Sequence, residues 1–231
     1  MTTGEGKARK RLPIGVLVVC VLGGLVVVAA LVARFRFFLW YRQPSGSMYP
    51  AHEVGDTFFA NGFERTPVRG QVFVFEFPER RDQLFDKRVV GLPGETVTTK
   101  GRAVLIDGWE IPRCMVGKHS YEVDGERHEG ELEVEFLGDA AYLVFHDGAP
   151  WQLEAGPWLV KEGEYFVLGD NRNNSHDWRL WFAGAGGGVP FGHTIGHVRE
   201  PAIPPLPRNA DGLRPALEAC LAKRPQKTMP R

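Results

Sequence analysis

The sequence predicts an all-β domain preceded by one N-terminal transmembrane helix, and three observations support this. Residues 12–33 carry no charge over 22 positions. Residues 43–199 consist of short apolar runs interrupted by Gly, Pro and Asp, which is the pattern of strands joined by turns. No stretch of that region has a convincing helical period. The region is long enough to form a hydrophobic core of its own.

The charge balance excludes a general binder of nucleic acids. The chain of 231 residues has 28 Lys and Arg against 28 Asp and Glu, whereas affinity for phosphates needs a surplus of cations. With 43% hydrophobic and 24% charged residues, the composition is that of a globular protein rather than a disordered one. We therefore expect no nucleic-acid partner.

The uncharged run 12–33 predicts a membrane anchor. As a helix it measures about 33 Å, which is enough to cross a bilayer. It exceeds the roughly 7–15 apolar residues of a cleaved signal peptide, the alternative explanation. A basic segment, 1–11, precedes the run, and a segment rich in aromatic and basic residues, 34–42, follows it at the predicted membrane interface. The flanking charges lean only slightly towards a cytoplasmic N-terminus.

Six apolar runs within 43–199 predict strands. They are 71–77, 85–90, 103–106, 132–136, 141–145 and 164–170. The first run is apolar on both faces and is therefore expected to be buried. Asp107-Gly108 directly after the third run is a hairpin signal. The glycine-rich stretch 183–188 predicts a flexible loop.

The C-terminal residues 200–231 are Pro-rich, and we expect a mostly disordered tail with a short helix near 211–222. The three cysteines of the chain show no metal-ligand spacing. Cys20 lies inside the apolar run, so only Cys114 and Cys220 are available to each other. The sequence leaves open whether they pair.

Serine is scarce in this chain, and Ser47 is a candidate nucleophile. The four serines are Ser45, Ser47, Ser120 and Ser175. Ser47 lies in QPSGSMYP at 43–50, where two prolines and a glycine restrict the backbone and hold the hydroxyl in place. An ordinary turn serine fits the same segment, so the case for Ser47 depends on a base nearby.

Lys87 is the candidate for that base. Strand alternation puts Phe85, Lys87 and Val89 on one face. An ammonium between two apolar side chains is desolvated, which lowers its pKa. A neutral amine can accept a proton as a general base. A lysine that extends to the strand edge is the competing interpretation.

A polar turn at 169–179, GDNRNNSHDWR, follows the last predicted strand. It contains Ser175, the third of the rare serines near a candidate site. Its charged residues offer several ion pairs, in which Asp170 and Asp177 pair with Arg172, Arg179 or Arg88. A solvated Asn/Asp turn is the competing interpretation.

Three blocks of the sequence together resemble the type I signal peptidase family, the serine–lysine leader peptidases. They are PSGSMYP at 44–50, KRVVGLPGE at 87–95 and GEYFVLGDNRNNSHDWR at 163–179. Their order after a membrane span is what makes the resemblance specific. It covers about residues 43–110 and 160–199. It implies a signal-peptidase-like all-β catalytic domain.

The resemblance also implies a role for each matching residue. Ser47 falls at the nucleophile and Lys87 at the general base. Ser45 falls where the family uses a hydroxyl, together with the N–H of the nucleophile, as an oxyanion hole. Ser175 falls where a hydroxyl orients the lysine amine. The structural ion-pair and turn positions of the family are matched by Asp170, Arg172, Asp177, Arg179 and Arg88.

The function implied by the resemblance is that of a membrane-bound serine endopeptidase that removes signal peptides from secreted preproteins. Such an enzyme needs no cofactor and no metal. Its catalytic domain lies on the outer face of the cell membrane, and its partners are the lipid bilayer and secretory preproteins with small residues at −3 and −1.

Three other hypotheses remain open. A serine nucleophile could instead use a histidine, and the candidates are His52, His146, His176, His193 and His197. His176 is the best of them because it is adjacent to Ser175. A specialised peptidase could process one secretion or pilus substrate. An inactive membrane-tethered β-domain could act in binding alone, although the intact serines and Lys87 argue against it.

Overall fold

The computed structural model describes residues 13–147 and 154–225, which form two α-helices and fourteen strands. The helices are α1 (Ile14–Phe37) and α2 (Arg214–Ala222). The strands are β1 (Phe38–Arg42), β2 (Thr57–Asn61), β3 (Val72–Phe77), β4 (Arg80–Gly91), β5 (Thr96–Lys100), β6 (Ala103–Ile106), β7 (Trp109–Glu110), β8 (Arg113–Val123), β9 (Glu126–Leu137), β10 (Ala140–His146), β11 (Ala155–Leu159), β12 (Glu164–Leu168), β13 (Val189–Pro190) and β14 (Thr194–Val198). The fold is therefore mostly β-sheet with one N-terminal apolar helix, as the sequence predicts.

Helix α1 is long and apolar enough to cross a membrane. Its segment Ile14–Arg34 spans 21 residues with a mean hydropathy of 3.1, and none of it is buried against the rest of the protein. The helix continues to Phe37 and passes directly into β1. Helix α1 and the first strand of the domain are thus joined without a linker.

A seven-stranded sheet forms the centre of the domain. Its strand order is β1-β2-β14-β3-β4-β12-β13, and the neighbouring strands are antiparallel. At its edge, β1 pairs with β2 over Phe38–Arg42. The sheet therefore begins at Phe38 rather than at the expected boundary of residue 43, so part of the predicted interface segment belongs to the domain.

Two smaller sheets complete the fold, with strand orders β11-β5-β6-β7 and β10-β9-β8. The largest hydrophobic cluster joins the central sheet to the four-stranded one through side chains such as Phe75, Val89 and Ile106. A smaller cluster on the other face of the central sheet contains Met48 and Val74. The strand β3 is buried on both faces because it contributes to both clusters, as its apolar sequence predicts.

The C-terminal segment corrects the expectation of a mostly disordered tail. Helix α2 packs Leu217 against the three-stranded sheet, in a cluster with Leu132 and Val134. A disulfide joins Cys220 of α2 to Cys114 of β8, which settles the pairing that the sequence leaves open. Covalent attachment and apolar burial therefore fix the tail as far as α2, while residues 226–231 lie outside the described chain.

Candidate active site

Ser47 lies in a single turn of 3₁₀ helix, Gly46–Met48, which follows the extended residue Ser45. The side chain of Met48 is fully buried in the smaller cluster of the central sheet. This apolar contact anchors the turn, and Ser47 as a whole residue is 9% exposed. The turn therefore holds Ser47 in a defined position at the edge of the core.

Lys87 lies in the middle of β4, opposite Phe73 of β3. It is 3% exposed, and its Nζ lies 5.2 Å from the centre of the Phe85 ring. The sequence predicts this apolar surrounding from the alternation along the strand. Lys87 is thus a buried amine on the face of the central sheet that carries the largest hydrophobic cluster.

The amine of Lys87 and the hydroxyl of Ser47 form a close pair. Lys87 Nζ lies 2.7 Å from Ser47 Oγ, and it donates a second hydrogen bond to the carbonyl oxygen of Asp86 at 2.8 Å. Burial lowers the pKa of Lys87, although the carboxylates of Asp86, Asp177 and Asp170 act in the opposite direction. The net effect lowers the pKa of Lys87, so the neutral amine forms at a lower pH than for an ordinary lysine.

Ser45 supplies a second hydroxyl beside that of Ser47. Its Oγ donates to Ser47 Oγ at 3.2 Å, and its carbonyl oxygen accepts a hydrogen bond from Gln43 Nε2 at 2.9 Å. Ser45 is exposed, whereas Ser47 is buried. Since the Ser45 hydroxyl can rotate about a single bond, it can also donate to an oxygen of a molecule bound in front of Ser47.

The turn after β12 is hydrogen-bonded to the segment that contains Ser47. Asn171 N–H donates to Ser47 O at 3.2 Å, and Asn171 Nδ2 donates to Gly46 O at 3.0 Å. Gly169 lies so close that an added Cβ would come within 2.5 Å of Ser47 O. Tyr121 of β8 reaches the same place, because its hydroxyl accepts a hydrogen bond from Asn171 Nδ2 at 2.7 Å. The central sheet and the three-stranded sheet therefore meet at this turn.

Ser175 lies beside the dyad but makes no hydrogen bond to it. Its side chain is buried against Gly169, where an added Cβ would lie 2.1 Å from Ser175 Oγ. Burial alone would raise the pKa of Asp177. The Arg179 guanidinium, the Gly169 N–H and the Ser175 hydroxyl have the larger combined effect, so the pKa of Asp177 is lowered. The structure thus brings Ser175 to the site, with its hydroxyl near Asp177 rather than bonded to Lys87.

The charged residues of the polar turn form buried ion pairs around the site. Arg88 donates to the two carboxylate oxygens of Asp170 through Nε and Nη2. Its Nη1 also lies 2.7 Å from Glu200 Oε2. Arg179 binds Asp177 at 2.8 Å. Of the pairings that the sequence leaves open, these two form, and each is desolvated. Such pairs are expensive to break, because a lone buried charge remains.

Two acidic partners were not predicted from the sequence. Arg172 binds Glu135 of β9 through two hydrogen bonds of 2.6 and 2.7 Å, and Tyr142 donates to the same carboxylate at 2.9 Å. Glu200 joins the Arg88 pair from the segment after β14. Glu133 and Glu135 alternate with apolar residues in 132–137, a pattern that predicts a solvent-facing side for both, so no local signal points to the burial of Glu135.

The histidines do not take part in the pair around Ser47. His176 is exposed and packs its ring against Phe77 at 5.5 Å. His146 is buried, and its burial together with nearby arginines lowers its pKa to about 2, so its ring is neutral. Within residues 13–147 and 154–225, no histidine nitrogen is hydrogen-bonded to Ser47 Oγ. The same part of the chain contains no cluster of three or more His, Cys, Asp or Glu that could hold a metal ion.

A buried amine beside a serine hydroxyl is an arrangement in which the amine can activate the hydroxyl for nucleophilic attack. The domain that contains this pair follows a long apolar helix. The family model for signal peptidase, peptidase S26, matches residues 16–203 of this chain. The match includes most of α1, all fourteen strands and every candidate site residue. The chain belongs to the signal peptidase, peptidase S26, family.

Relatives from several bacteria support the same family. Signal peptidase I of Pseudomonas aeruginosa is 36% identical over 173 residues, which are 68% of this chain and 60% of that protein. Signal peptidase I of Leptolyngbya laminosa is 32% identical over 195 residues, or 80% of this chain and 74% of that protein. The alignments with the Pseudomonas relatives span about 60% of their length.

One solved structure is also similar. The crystal structure of a signal peptidase I from Enterococcus faecalis is 26% identical, with a TM-score of 0.34, and the match covers 59% of this chain and 99% of that one.

Proposed function

We propose that this protein is a membrane-bound serine endopeptidase that removes signal peptides from secreted preproteins, with Ser47 as nucleophile and Lys87 as general base. The observation that carries the proposal is the 2.7 Å contact between Lys87 Nζ and Ser47 Oγ inside an apolar surrounding. Membership in the signal peptidase family supports the same reaction.

The hydrogen bonds of Lys87 suit a general base. When the amine is neutral, one N–H remains bound to the carbonyl oxygen of Asp86, and the lone pair is left to accept the Ser47 proton. The activated oxygen then attacks the carbonyl carbon of the scissile peptide bond. Lys87 next gives that proton to the leaving amine. In the second half of the reaction it accepts a proton from the water that hydrolyses the acyl-enzyme.

The oxyanion of this reaction needs donors in front of Ser47. We assign this role to the Ser45 hydroxyl and the backbone N–H of Ser47. The Ser45 hydroxyl lies 3.2 Å from Ser47 Oγ, which is close enough to reach an oxygen on the attacked carbon. Removal of one such donor typically costs on the order of 10²–10³ in kcat. In this proposal Ser175 acts indirectly. Its side chain packs against Gly169, and Gly169 lies against the carbonyl oxygen of Ser47.

The substrate and the membrane side complete the proposal. Following the family resemblance, the substrates are secretory preproteins with small residues at −3 and −1, presented at the bilayer that α1 enters. We propose that the domain lies on the outer face of the membrane. The Cys114–Cys220 disulfide supports this side, because disulfides persist in oxidising compartments and are rare in the cytosol.

The test is cleavage of a secretory precursor by the full chain in detergent, with the cleaved bond mapped by mass spectrometry. We expect one cut after a small residue, and no cut by Ser47→Ala. Ser120→Ala is the matched control, because Ser120 lies in β8, outside the dyad and its hydrogen bonds, and should cleave normally. Wild-type turnover by Ser47→Ala would reject the proposal. Cleavage of one precursor out of a panel would favour the specialised peptidase instead.

A further inference from the structure

A second buried pair of polar residues lies directly behind the dyad. Asp86 precedes Lys87 in β4 and faces the opposite side of the central sheet, where it lies opposite Val74. That side contains the smaller apolar cluster, with Met48 of the nucleophile turn. Asp86 is 8% exposed. A carboxylate in such a place needs a partner, because an unpaired buried charge is costly.

His52 is that partner. Its Nδ1 lies 3.0 Å from Asp86 Oδ2, and both side chains are nine-tenths buried. The imidazole stacks on Phe58 with 4.4 Å between the ring centres, and the backbone N–H of His52 donates to Met48 O at 3.0 Å. His52 is therefore held on three sides, and it belongs to the same turn that begins with the nucleophile.

We propose that His52 and Asp86 form a positioning pair, in which the contact ties the turn of Ser47 to the strand of Lys87, and the Asp86 carboxylate sets the pH range of activity. The inference rests on the proposed function, since it assigns a role within the same dyad. Both are positioning residues, because neither side chain is hydrogen-bonded to Ser47 Oγ or Lys87 Nζ.

Asp86 links Lys87 to His52 through two of its groups, the backbone carbonyl and the carboxylate. Its carbonyl oxygen accepts a hydrogen bond from Lys87 Nζ at 2.8 Å, and its carboxylate binds His52 at 3.0 Å. On one side of the sheet the turn is held through the Ser47–Lys87 contact, and on the other side through His52. A shift of the Asp86 peptide would move the amine away from Ser47 Oγ, and the His52 contact opposes that shift.

The charges that face Lys87 influence the pKa of its amine. Burial lowers the pKa of its amine, and the carboxylates of Asp86, Asp177 and Asp170 raise it again. Asp177 is paired with an arginine, and so is Asp170. Burial raises the pKa of the Asp86 carboxyl, but the His52 hydrogen bond and the charge of Lys87 outweigh it, so Asp86 stays ionised. Of these three carboxylates, Asp86 is thus the one that pairs with a histidine and not with an arginine.

The surroundings of His52 contain further charges, and these are largely paired. Arg88, two residues after Asp86, is bound by Asp170 and Glu200. His52 also lines a cavity of about 890 Å³. Its other charged or titratable lining residues are Glu64, Arg69, Arg88, Asp139, Tyr142, His197, Arg199 and Glu200. Glu64 binds both His197 and Arg199. The cavity connects His52 to solvent, so protons can reach the pair.

The test is the pH dependence of kcat/KM for Asp86→Asn in the full chain. Removal of the negative charge at Asp86 should lower the pKa of Lys87. The acid limb, which is the rise of activity as Lys87 loses its proton, should therefore move down by about one pH unit. Asp82→Asn is the matched control, because it makes the same substitution in the same strand at an exposed position and should leave the limb unchanged. A residue that only supported the fold would lower kcat and leave the limb in place.

Two further variants guard against misfolding and test the contact itself. His52→Phe keeps a ring on Phe58 but removes the bond to Asp86, and we expect kcat to fall at least tenfold while KM stays within about twofold. A double variant, His52→Leu with Asp86→Leu, replaces the pair by apolar side chains, which buried sites often tolerate. This double variant should fold, and its acid limb should move to lower pH as far as that of Asp86→Asn.

The inference is overturned if wild type cleaves normally but neither Asp86→Asn nor the double variant moves the acid limb. It is also overturned if Asp82→Asn moves the limb as far as Asp86→Asn does, or if His52→Phe keeps the kcat of wild type. Cleavage by Ser47→Ala, or none by wild type, would instead reject the proposed function and this inference with it. An unmoved limb in an active enzyme leaves the proposed function intact.

Discussion

The Cys114–Cys220 disulfide should supply a large share of the stability of the domain. It joins residues that are 106 positions apart. In the chain-entropy description, a loop of this length reduces the freedom of the unfolded chain by about 5 kcal/mol at 25 °C. A domain of this size has a total free energy of unfolding of about 5–15 kcal/mol. Loss of the bond is therefore expected to lower the urea midpoint substantially.

The assay is urea unfolding of the detergent-solubilised protein with Cys114→Ala and Cys220→Ala combined. We expect the free energy of unfolding to fall by about 2–5 kcal/mol. Cys20→Ala, which removes the unpaired cysteine of α1, should change it by less than about 0.5 kcal/mol. A reductant should destabilise wild type to the level of the double variant and leave that variant unchanged. A loss below about 1 kcal/mol would show that α2 unfolds separately and would refute this reasoning.

Three further predictions concern the site and the membrane edge. Gly169→Ala should lower kcat at least tenfold, because its Cβ would come within 2.1 Å of Ser175 Oγ and 2.5 Å of Ser47 O, and the turn must shift. Ser175→Ala should reduce turnover in the precursor assay and leave measurable activity, since the hydroxyl is not bonded to Lys87; complete loss would contradict this. The chain without residues 1–33 should float with anionic lipid vesicles through exposed aromatic side chains, and Trp40→Ser should weaken this binding.

The sequence predicts the local features of the site well. The burial of Lys87 follows from alternation along one strand, because Phe85 and Val89 share its face. The strand β3 is recognisable because an uninterrupted apolar run must be buried on both faces. These predictions need only a few neighbouring residues, so they do not depend on the rest of the fold.

Contacts between distant residues are what the sequence does not predict. Glu135 lies 37 residues from Arg172, and Glu200 lies 112 residues from Arg88. No local pattern states which acid reaches which arginine. Strand β8 is missed for a related reason, because its many polar residues are stabilised by pairing with β9 and not by an apolar face of their own.

The disulfide and the histidine pair belong to the same class of contact. Two cysteines can bond only when the fold brings their Cα atoms within about 7 Å, and here they lie 5.6 Å apart. His52 and Asp86 are 34 residues apart, and each looks like an ordinary surface residue in the sequence. Their burial becomes visible only when β4 and the nucleophile turn are packed together.

The pH dependence of kcat/KM for wild type and Lys87→Arg tests the central claim most directly. Burial lowers the pKa of Lys87, so activity should rise as the amine loses its proton, with a midpoint below the ordinary lysine value of about 10.4. Lys87→Arg should lose on the order of 10²–10⁴ in rate at every pH, because a guanidinium stays charged and cannot accept the Ser47 proton. A folded Lys87→Arg variant with full activity, and a midpoint near the histidine value of about 6.5, would contradict the serine–lysine mechanism.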